Sequence, residues 1–143
     1  MCLIVKRGTK RHTAKRNITV YKVLSYDVKD KCLCTPYIGR KIYFDYQDKA
    51  LLGISKQQLF ITLECMFTSV PLPVVEKGIH AWSTSHLASN AVNCGILHRP
   101  SFVYYAIIPK GEDYYYGVDG DIVASGMIIF KNEDAYRDYL DNN

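Results

Sequence analysis

Apolar and polar residues alternate from Ile18 to Leu24, a pattern that predicts a β-strand. The alternation places Lys22 on the same face as Val20 and Leu24, and Tyr21 on the other face. An ammonium group on an apolar face must reach solvent, find a partner or serve a site. Lys22 is therefore a candidate functional residue, and its alternative interpretation is a lysine that reaches solvent near a strand end.

Two further strand regions are predicted in the second half of the chain. The run Phe102–Ile108 is apolar and aromatic throughout, as expected for a central strand, and Pro109 ends its pairing. Ile122-Val123 and Met127–Phe130 are expected to return antiparallel to an earlier strand. The interruption Ala124–Gly126 indicates a bulge or a point where another group approaches the backbone closely.

Shorter apolar runs predict additional strands, and glycine-rich segments predict turns. We interpret the segment around Tyr114–Tyr116, Gly117 and Asp119-Gly120 as turn-rich. The short strands are expected at Cys2–Val5, Cys32–Thr35, Lys41–Tyr46 and Val74–Trp82, the last of them split by Gly78.

Helical spacing of apolar residues predicts a helix after Ser55. Ser55 and Gln58 have the spacing of a capping box, and apolar residues follow at helical intervals as far as Met66 and Phe67. The segment Leu59–Leu63 also fits an extended strand, so both interpretations stay open.

Two more helices are predicted downstream. Ser83 or Ser85 can cap a helix whose apolar stripe runs from Leu87 to Val92, and Asn132 can cap a helix at the end of the chain. Together these elements predict an α+β fold, with an antiparallel sheet and two to three short helices.

The composition of the 143-residue chain predicts one domain, residues 1–143. No apolar run approaches the ~20 residues that cross a bilayer, and no signal-peptide pattern is present, so we expect a cytoplasmic protein without a membrane partner. The five cysteines are an odd number, which favours reduced thiols. Cys32-Leu-Cys34 is too closely spaced for a zinc knuckle, and no metal site is expected.

Positive charge is concentrated at the start of the chain. Residues 1–26 hold seven Lys or Arg and no Asp or Glu, so their net charge is +7. Since the net charge of the whole chain is +4, the other 117 residues have a net charge of −3. A basic arm at about residues 6–16 can contact phosphate or a partner, and its alternative interpretation is a solvated, partly mobile tail. Its candidate contact residues are Lys6, Arg7, Lys10, Arg11, Lys15 and Arg16.

A strand-to-helix junction supplies the main candidate ligand site. Unpaired N–H groups at a helix start can receive an anion, and His80, Trp82 and three hydroxyl residues lie at this junction. A satisfied histidine and an ordinary serine cap are the alternative. The candidate ligand-binding residues are Tyr21, Lys22, His80, Trp82, Ser83, Thr84, Ser85 and, as an aromatic contact from the tyrosine run, Tyr115.

The order of these parts resembles the split antiparallel sheet of the ADP-ribosyltransferase fold. By this resemblance Tyr21-Lys22 matches the first motif, with lysine for arginine, and Ser83-Thr84-Ser85 matches the second. The resemblance implies an NAD-like nucleotide as ligand. The family places a glutamate on its final strand, but this chain has Val123–Met127 there, and the nearest carboxylates are Asp119 and Asp121. The missing acid favours binding over catalysis, because no carboxylate stabilises the positive charge that develops at the ribose.

The chain also resembles small phage and prophage proteins of Bacteroides-type bacteria. The similar segments are Met1-Cys-Leu3, Val20-Tyr-Lys-Val23, Thr35-Pro-Tyr37, Gly78-Ile-His80 and Ile108-Pro-Lys-Gly111. This resemblance implies a viral accessory protein that acts against host defence in the host cytoplasm.

Three functions follow as hypotheses. The first is binding of a nucleotide or other phosphate-bearing ligand in an ADP-ribosyltransferase-like cleft. The second is inhibition of a host defence protein or its RNA by direct contact through the basic arm and exposed tyrosines. The third is an active transferase that uses Asp119 or Asp121, or no acid at all.

Overall fold

Two antiparallel sheets and two α-helices build the protein in the computed structural model, which describes residues 3–36, 39–65, 69–94 and 99–143. The strands are β1 (Leu3–Ile4), β2 (His12–Thr13), β3 (Ile18–Asp27), β4 (Cys32–Cys34), β5 (Lys41–Ile42), β6 (Lys49–Gly53), β7 (Ile61–Glu64), β8 (Leu72–Val75), β9 (Ile79–Trp82), β10 (Ser101–Ile108), β11 (Asp113–Tyr116), β12 (Asp121–Ala124) and β13 (Gly126–Phe130). The helices are α1 (Ser85–Asn93) and α2 (Glu133–Asn142), and a 3-10 turn spans Lys56–Gln58.

The larger sheet is organised around the pairing of β3 with β10. Its order is β2-β11-β12-β9-β3-β10-β13-β6, with β4 and β5 beside the end of β3, and the smaller sheet has the order β1-β8-β7. The β3–β10 pairing runs from Ile18 opposite Ile108 to Ser25 opposite Ser101. Val20 and Leu24 on β3 are buried in the main core, so the α+β class and the central strands that the sequence predicts are confirmed.

The larger sheet curls strongly on itself. Ser125 alone links β12 to β13, although three strands lie between them in the sheet order. The Ser125 N–H donates to the Asp113 carbonyl, and the Ser125 carbonyl accepts from the Ile54 N–H. A Cβ on Gly126 would lie 2.6 Å from the Glu112 carboxyl carbon. The sequence prediction of a close approach at Ala124–Gly126 is therefore confirmed, and the approaching group is a carboxylate.

The helix predicted after Ser55 is wrong, and the alternative strand is correct. The capping box of Ser55 and Gln58 closes only the 3-10 turn, and the chain then extends into β7, which pairs with β8. The side chain of Leu63 is exposed instead of facing a core, so strand pairing outweighs the helical spacing. Met66 and Phe67 lie outside the described residues.

The two remaining helices form where the sequence predicts them. Asn132 caps α2 by accepting from the Ala135 N–H, and Tyr136 is its buried residue. Helix α1 is capped by Thr84, whose side chain accepts from the Leu87 N–H, so the predicted cap at Ser83 or Ser85 is wrong by one position.

The tyrosine segment and the Gly78 region differ from the sequence interpretation. Tyr114–Tyr116 belongs to β11, which pairs with β12 through cross-strand partners such as Tyr115 and Val123. The strand predicted at Val74–Trp82 is two strands in different sheets, β8 and β9. Gly78, with φ of +140°, directs the chain from one sheet to the other.

The basic arm is anchored to the body of the protein and is not a free tail. The Arg11 guanidinium donates to the Tyr115 hydroxyl at 3.2 Å, to Asp113 Oδ2 at 3.3 Å and to the backbone carbonyls of Lys56 and Leu59. The Thr13 hydroxyl also donates to Asp113 Oδ1 at 2.7 Å. The segment predicted as loop thus includes β2 and packs along β11.

Replacing Arg11 by methionine should lower the free energy of unfolding by about 1–3 kcal/mol, because the buried Asp113 carboxylate and two backbone carbonyls lose a donor. Urea denaturation of Arg11→Met and wild-type protein measures the loss. Arg16→Met is the matched control, since Arg16 is an exposed arginine of the same arm. Equal stability of the two variants would show that the arm is not held by Arg11.

Candidate functional site

A cleft opens where the larger sheet separates beside β3. On this side β3 pairs with β9 only at Tyr21, opposite Trp82, and with β4 only from Ser25 to Asp27. The edge of β3 between these points has no strand partner among the described residues. A cleft of about 410 Å³ lies at this separation.

The cleft has apolar walls and charged groups at its opening. Its apolar lining comes mainly from three strands and α1 and includes Val23, Leu52, Ile79, Ala81 and Ala91. Three exposed charged residues, Arg40, Glu76 and Lys77, also line it. Such a mixture suits a ligand with an apolar or aromatic part and a charged part.

Lys22 is buried in this cleft, with 7% of its surface exposed. Its Nζ donates to the His80 carbonyl at 2.6 Å, and none of the ion pairs formed by the described residues includes it. This bond joins β3 to β9 beside the point where the pairing of the two strands stops. Burial lowers the pKa of Lys22 to about 8.

His80 also lines the cleft, and its ring has an unsatisfied nitrogen. Its Nε2 is buried and has no hydrogen-bond partner. Burial, and secondarily the charge of Lys22, lower the pKa of His80 to about 4, while a hydrogen bond to the Gly78 backbone acts in the opposite direction. The imidazole is therefore neutral near pH 7. Since a bond that raises the pKa is one the ring donates, Nε2 is the acceptor of the neutral ring.

Asp121 is the second unsatisfied group of the cleft. It lies opposite Trp82 in the β9–β12 pairing, on the same sheet face as His80. Its buried Oδ1 has no hydrogen-bond partner, and burial raises the pKa of the carboxyl group. A Cβ on Gly117 would lie 2.1 Å from this oxygen, so only glycine fits beside it.

Three of the eight predicted ligand residues line the cleft: Lys22, His80 and Trp82. Strict alternation would separate Lys22 from the other two, because Tyr21 and not Lys22 shares the face of its partner Trp82. The cleft nevertheless includes residues of both sets, because it lies where β9 diverges from β3. This juxtaposition is a consequence of tertiary structure.

The hydroxyl residues predicted to bind phosphate do not line the cleft. The Ser83 hydroxyl donates to the Gly120 carbonyl at 2.7 Å, and Thr84 is occupied as the cap of α1. Ser85 is exposed at the start of that helix. Thr84 thus caps the Leu87 N–H of the helix start, and none of the three hydroxyl residues is among those that line the cleft.

The two predicted tyrosines also lie elsewhere. Tyr21 packs against Tyr105, with ring centroids 5.6 Å apart. Tyr115 is buried in the small core beneath β9, and its hydroxyl accepts from Arg11. Arg40 and Lys77, which do line the cleft, lie in connections that carry no local sequence signal for a site.

No group of three or more His, Cys, Asp or Glu side chains able to hold a metal ion is found in the described part of the chain. No helix there is both long and apolar enough to cross a membrane. Comparison with protein-family models, with curated proteins and with solved structures found no match to this chain.

Proposed function

We propose that the protein binds a nucleotide or another phosphate-bearing small molecule in the cleft beside β3. The observation that carries this proposal is Lys22, a buried ammonium without an acidic partner among the described residues, whose Nζ is bonded to the backbone carbonyl of His80. Holding the charge of Lys22 in this environment costs roughly 3 kcal/mol, from the fall of its pKa to about 8. A bound anion would offset that cost.

The rest of the cleft fits the other half of such a ligand. Its volume of about 410 Å³ lies within the usual range for small-molecule sites. The half-buried ring of Trp82 and the apolar side chains offer a surface for a nucleobase or another planar group. His80 Nε2 can accept a hydrogen bond from a ring amine or a hydroxyl group.

Binding without catalysis is the form of the proposal that the site favours. Among the residues of β12 and β13, Asp121 is the one carboxylate, and it stands at the start of β12 instead of at the position of the family's glutamate. Without a carboxylate at that position, the positive charge that develops at the ribose is not stabilised. An active ADP-ribosyltransferase is accordingly the weaker alternative, and the ADP-ribosyltransferase-like arrangement of strands is part of this proposal.

A second candidate function rests on the anchored arm. Arg11 fixes the segment in place, so the exposed side chains of Lys10, Lys15 and Arg16 form part of a positioned basic surface. A fixed basic surface loses less entropy than a mobile tail when it contacts RNA or an acidic partner protein. Whether the protein binds a small molecule or contacts a partner, we propose that it is a phage accessory protein that acts on host defence in the host cytoplasm.

The proposal is tested with the protein as purified. Mass spectrometry of small molecules released on denaturation identifies any retained ligand. Calorimetry with NAD, ADP-ribose and cyclic nucleotides measures binding directly. Absence of retained ligand together with absence of binding to every nucleotide would contradict the proposal.

Replacing Lys22 by methionine should weaken binding of an anionic ligand by about 1–3 kcal/mol, the value of a hydrogen bond to a charged group. Methionine keeps the apolar stem and removes the ammonium. Stability should hold or rise, because relief of the buried charge offsets the lost bond to the His80 carbonyl. Calorimetry and thermal unfolding measure the two effects.

The control for this variant is Lys29→Met, which removes an exposed lysine from a turn. It should leave affinity unchanged. If Lys22→Met lowered the melting temperature clearly and left ligand affinity intact, Lys22 would be a structural residue and the ligand would bind elsewhere.

A further inference from the structure

Lys22 differs from every other lysine of the chain in its surroundings. It is the one lysine whose residue is buried, whereas the other eleven are exposed or half-buried. Its Nζ has a backbone carbonyl as hydrogen-bond partner and no carboxylate partner among the described residues. A bond of this kind uses one N–H of the group and leaves the nitrogen lone pair available when the amine is neutral.

Burial of Lys22 favours its neutral amine form. The titratable and charged groups that share its cleft are His80 on β9, Asp121 on β12, and the exposed Arg40, Glu76 and Lys77 of the connections. His80 is uncharged near pH 7, so it supplies no negative charge that would stabilise the ammonium form of Lys22. With its pKa lowered to about 8, Lys22 holds on the order of a hundred times more neutral amine near neutral pH than a lysine at the ordinary value of 10.5.

We propose that Lys22 is an amine nucleophile that forms an imine with an aldehyde or ketone group of a molecule bound in the cleft. Desolvated lysines in apolar pockets are activated for this chemistry. The inference uses the same cleft as the proposed function, and it does not require that the ligand carry a phosphate. It assigns a covalent step to a site for which the proposed function requires only binding.

The step balances without an oxidant or reductant. The Nζ lone pair of the neutral amine attacks the carbonyl carbon, and the carbonyl oxygen gains a proton to give a carbinolamine. The nitrogen then loses its remaining proton and the carbon loses hydroxide, so that one water leaves and a C=N bond remains. Solvent at the opening of the cleft can take up and return the proton.

The inference is tested by trapping the imine on the wild-type protein. Pyridoxal 5′-phosphate serves as the phosphate-bearing aldehyde and pyridoxal as its phosphate-free counterpart. After incubation near the pKa of Lys22, about 8, borohydride reduces any imine to a stable amine. Peptide mass spectrometry then compares the label on Lys22 with that on the other eleven lysines of the same sample.

We expect the label on Lys22 to exceed that on each exposed lysine by roughly tenfold, because its larger neutral fraction outweighs its reduced access. The comparison within one sample needs no variant. Label spread over exposed lysines with Lys22 unmodified would overturn the inference.

Two further measurements separate this inference from the proposed function. Lys22→Arg keeps a cation but cannot form the imine, so it should lose the label while retaining part of the nucleotide affinity. Equal labelling of Lys22 by both aldehydes, with no nucleotide binding by calorimetry, would support the imine and contradict the phosphate ligand. Nucleotide binding with no label on Lys22 would support the phosphate ligand and contradict the imine.

Discussion

Gly78→Ala is expected to destabilise the protein by about 3 kcal/mol, from combined backbone strain and overpacking. The residue has φ of +140°, which L side chains rarely adopt. A Cβ there would lie 2.3 Å from Val123 Cγ2 and 2.9 Å from Leu59 Cδ1. Both neighbours are fully buried, so neither can move aside without disturbing the small core.

The control for this substitution is Gly111→Ala. Gly111 also has a positive φ, +95°, but nothing lies within 4 Å of the position of its Cβ. Gly111→Ala should lower the free energy of unfolding only by the backbone strain, about 1 kcal/mol. Chemical denaturation of both variants gives the difference, which isolates the steric contribution at Gly78. Equal losses would show that the chain from β8 to β9 can relax around an added methyl group.

Gly78 also links the fold to the site. It is the point where the chain leaves the smaller sheet and enters β9, and the divergence of β9 from β3 creates the cleft. The backbone of this residue also bonds the His80 ring. We therefore expect a folded Gly78→Ala protein to have altered ligand affinity as well as reduced stability.

The sequence predicts those elements whose signal is local. Strand β3 shows alternation, β10 is a long apolar run, and α2 has its own cap in Asn132. Strand β7 is ambiguous locally because Leu59–Leu63 suits both a helix and a strand, and only the pairing with β8 decides between them. The curl of the sheet through Ser125 has no local signal, since it depends on strands distant in sequence.

The candidate site, like the fold, can be predicted from the sequence only where its signal is local. Lys22 is identified because alternation places it on an apolar face, and His80 and Trp82 because they precede a helix start. The hydroxyl residues do not line the cleft, and a cap such as Thr84 uses its own oxygen locally, whether or not a ligand binds. Arg40 reaches the cleft only because β4 and β5 pair beside β3, which no local pattern shows.

Acid should destabilise the protein through His80 by about 3 kcal/mol between pH 6.5 and about 4. The folded state lowers the pKa of this histidine from 6.5 to about 4, because burial and the charge of Lys22 disfavour the imidazolium. Between these values the unfolded chain binds a proton that the folded protein does not. Stability is therefore lost as the pH falls through this window, and no further loss comes from His80 below it.

His80→Gln removes this proton uptake, so its stability should fall less steeply than that of the wild type over the same window. His86→Gln is the matched control, since His86 is exposed on α1 and should keep the wild-type dependence. Urea denaturation at a series of pH values measures the free energy of unfolding of all three proteins. The contribution of the carboxylates that the three proteins share cancels in the comparison. Parallel curves for wild type and His80→Gln would mean that the folded protein accommodates the imidazolium, and Nε2 would then be a donor to the ligand instead of an acceptor.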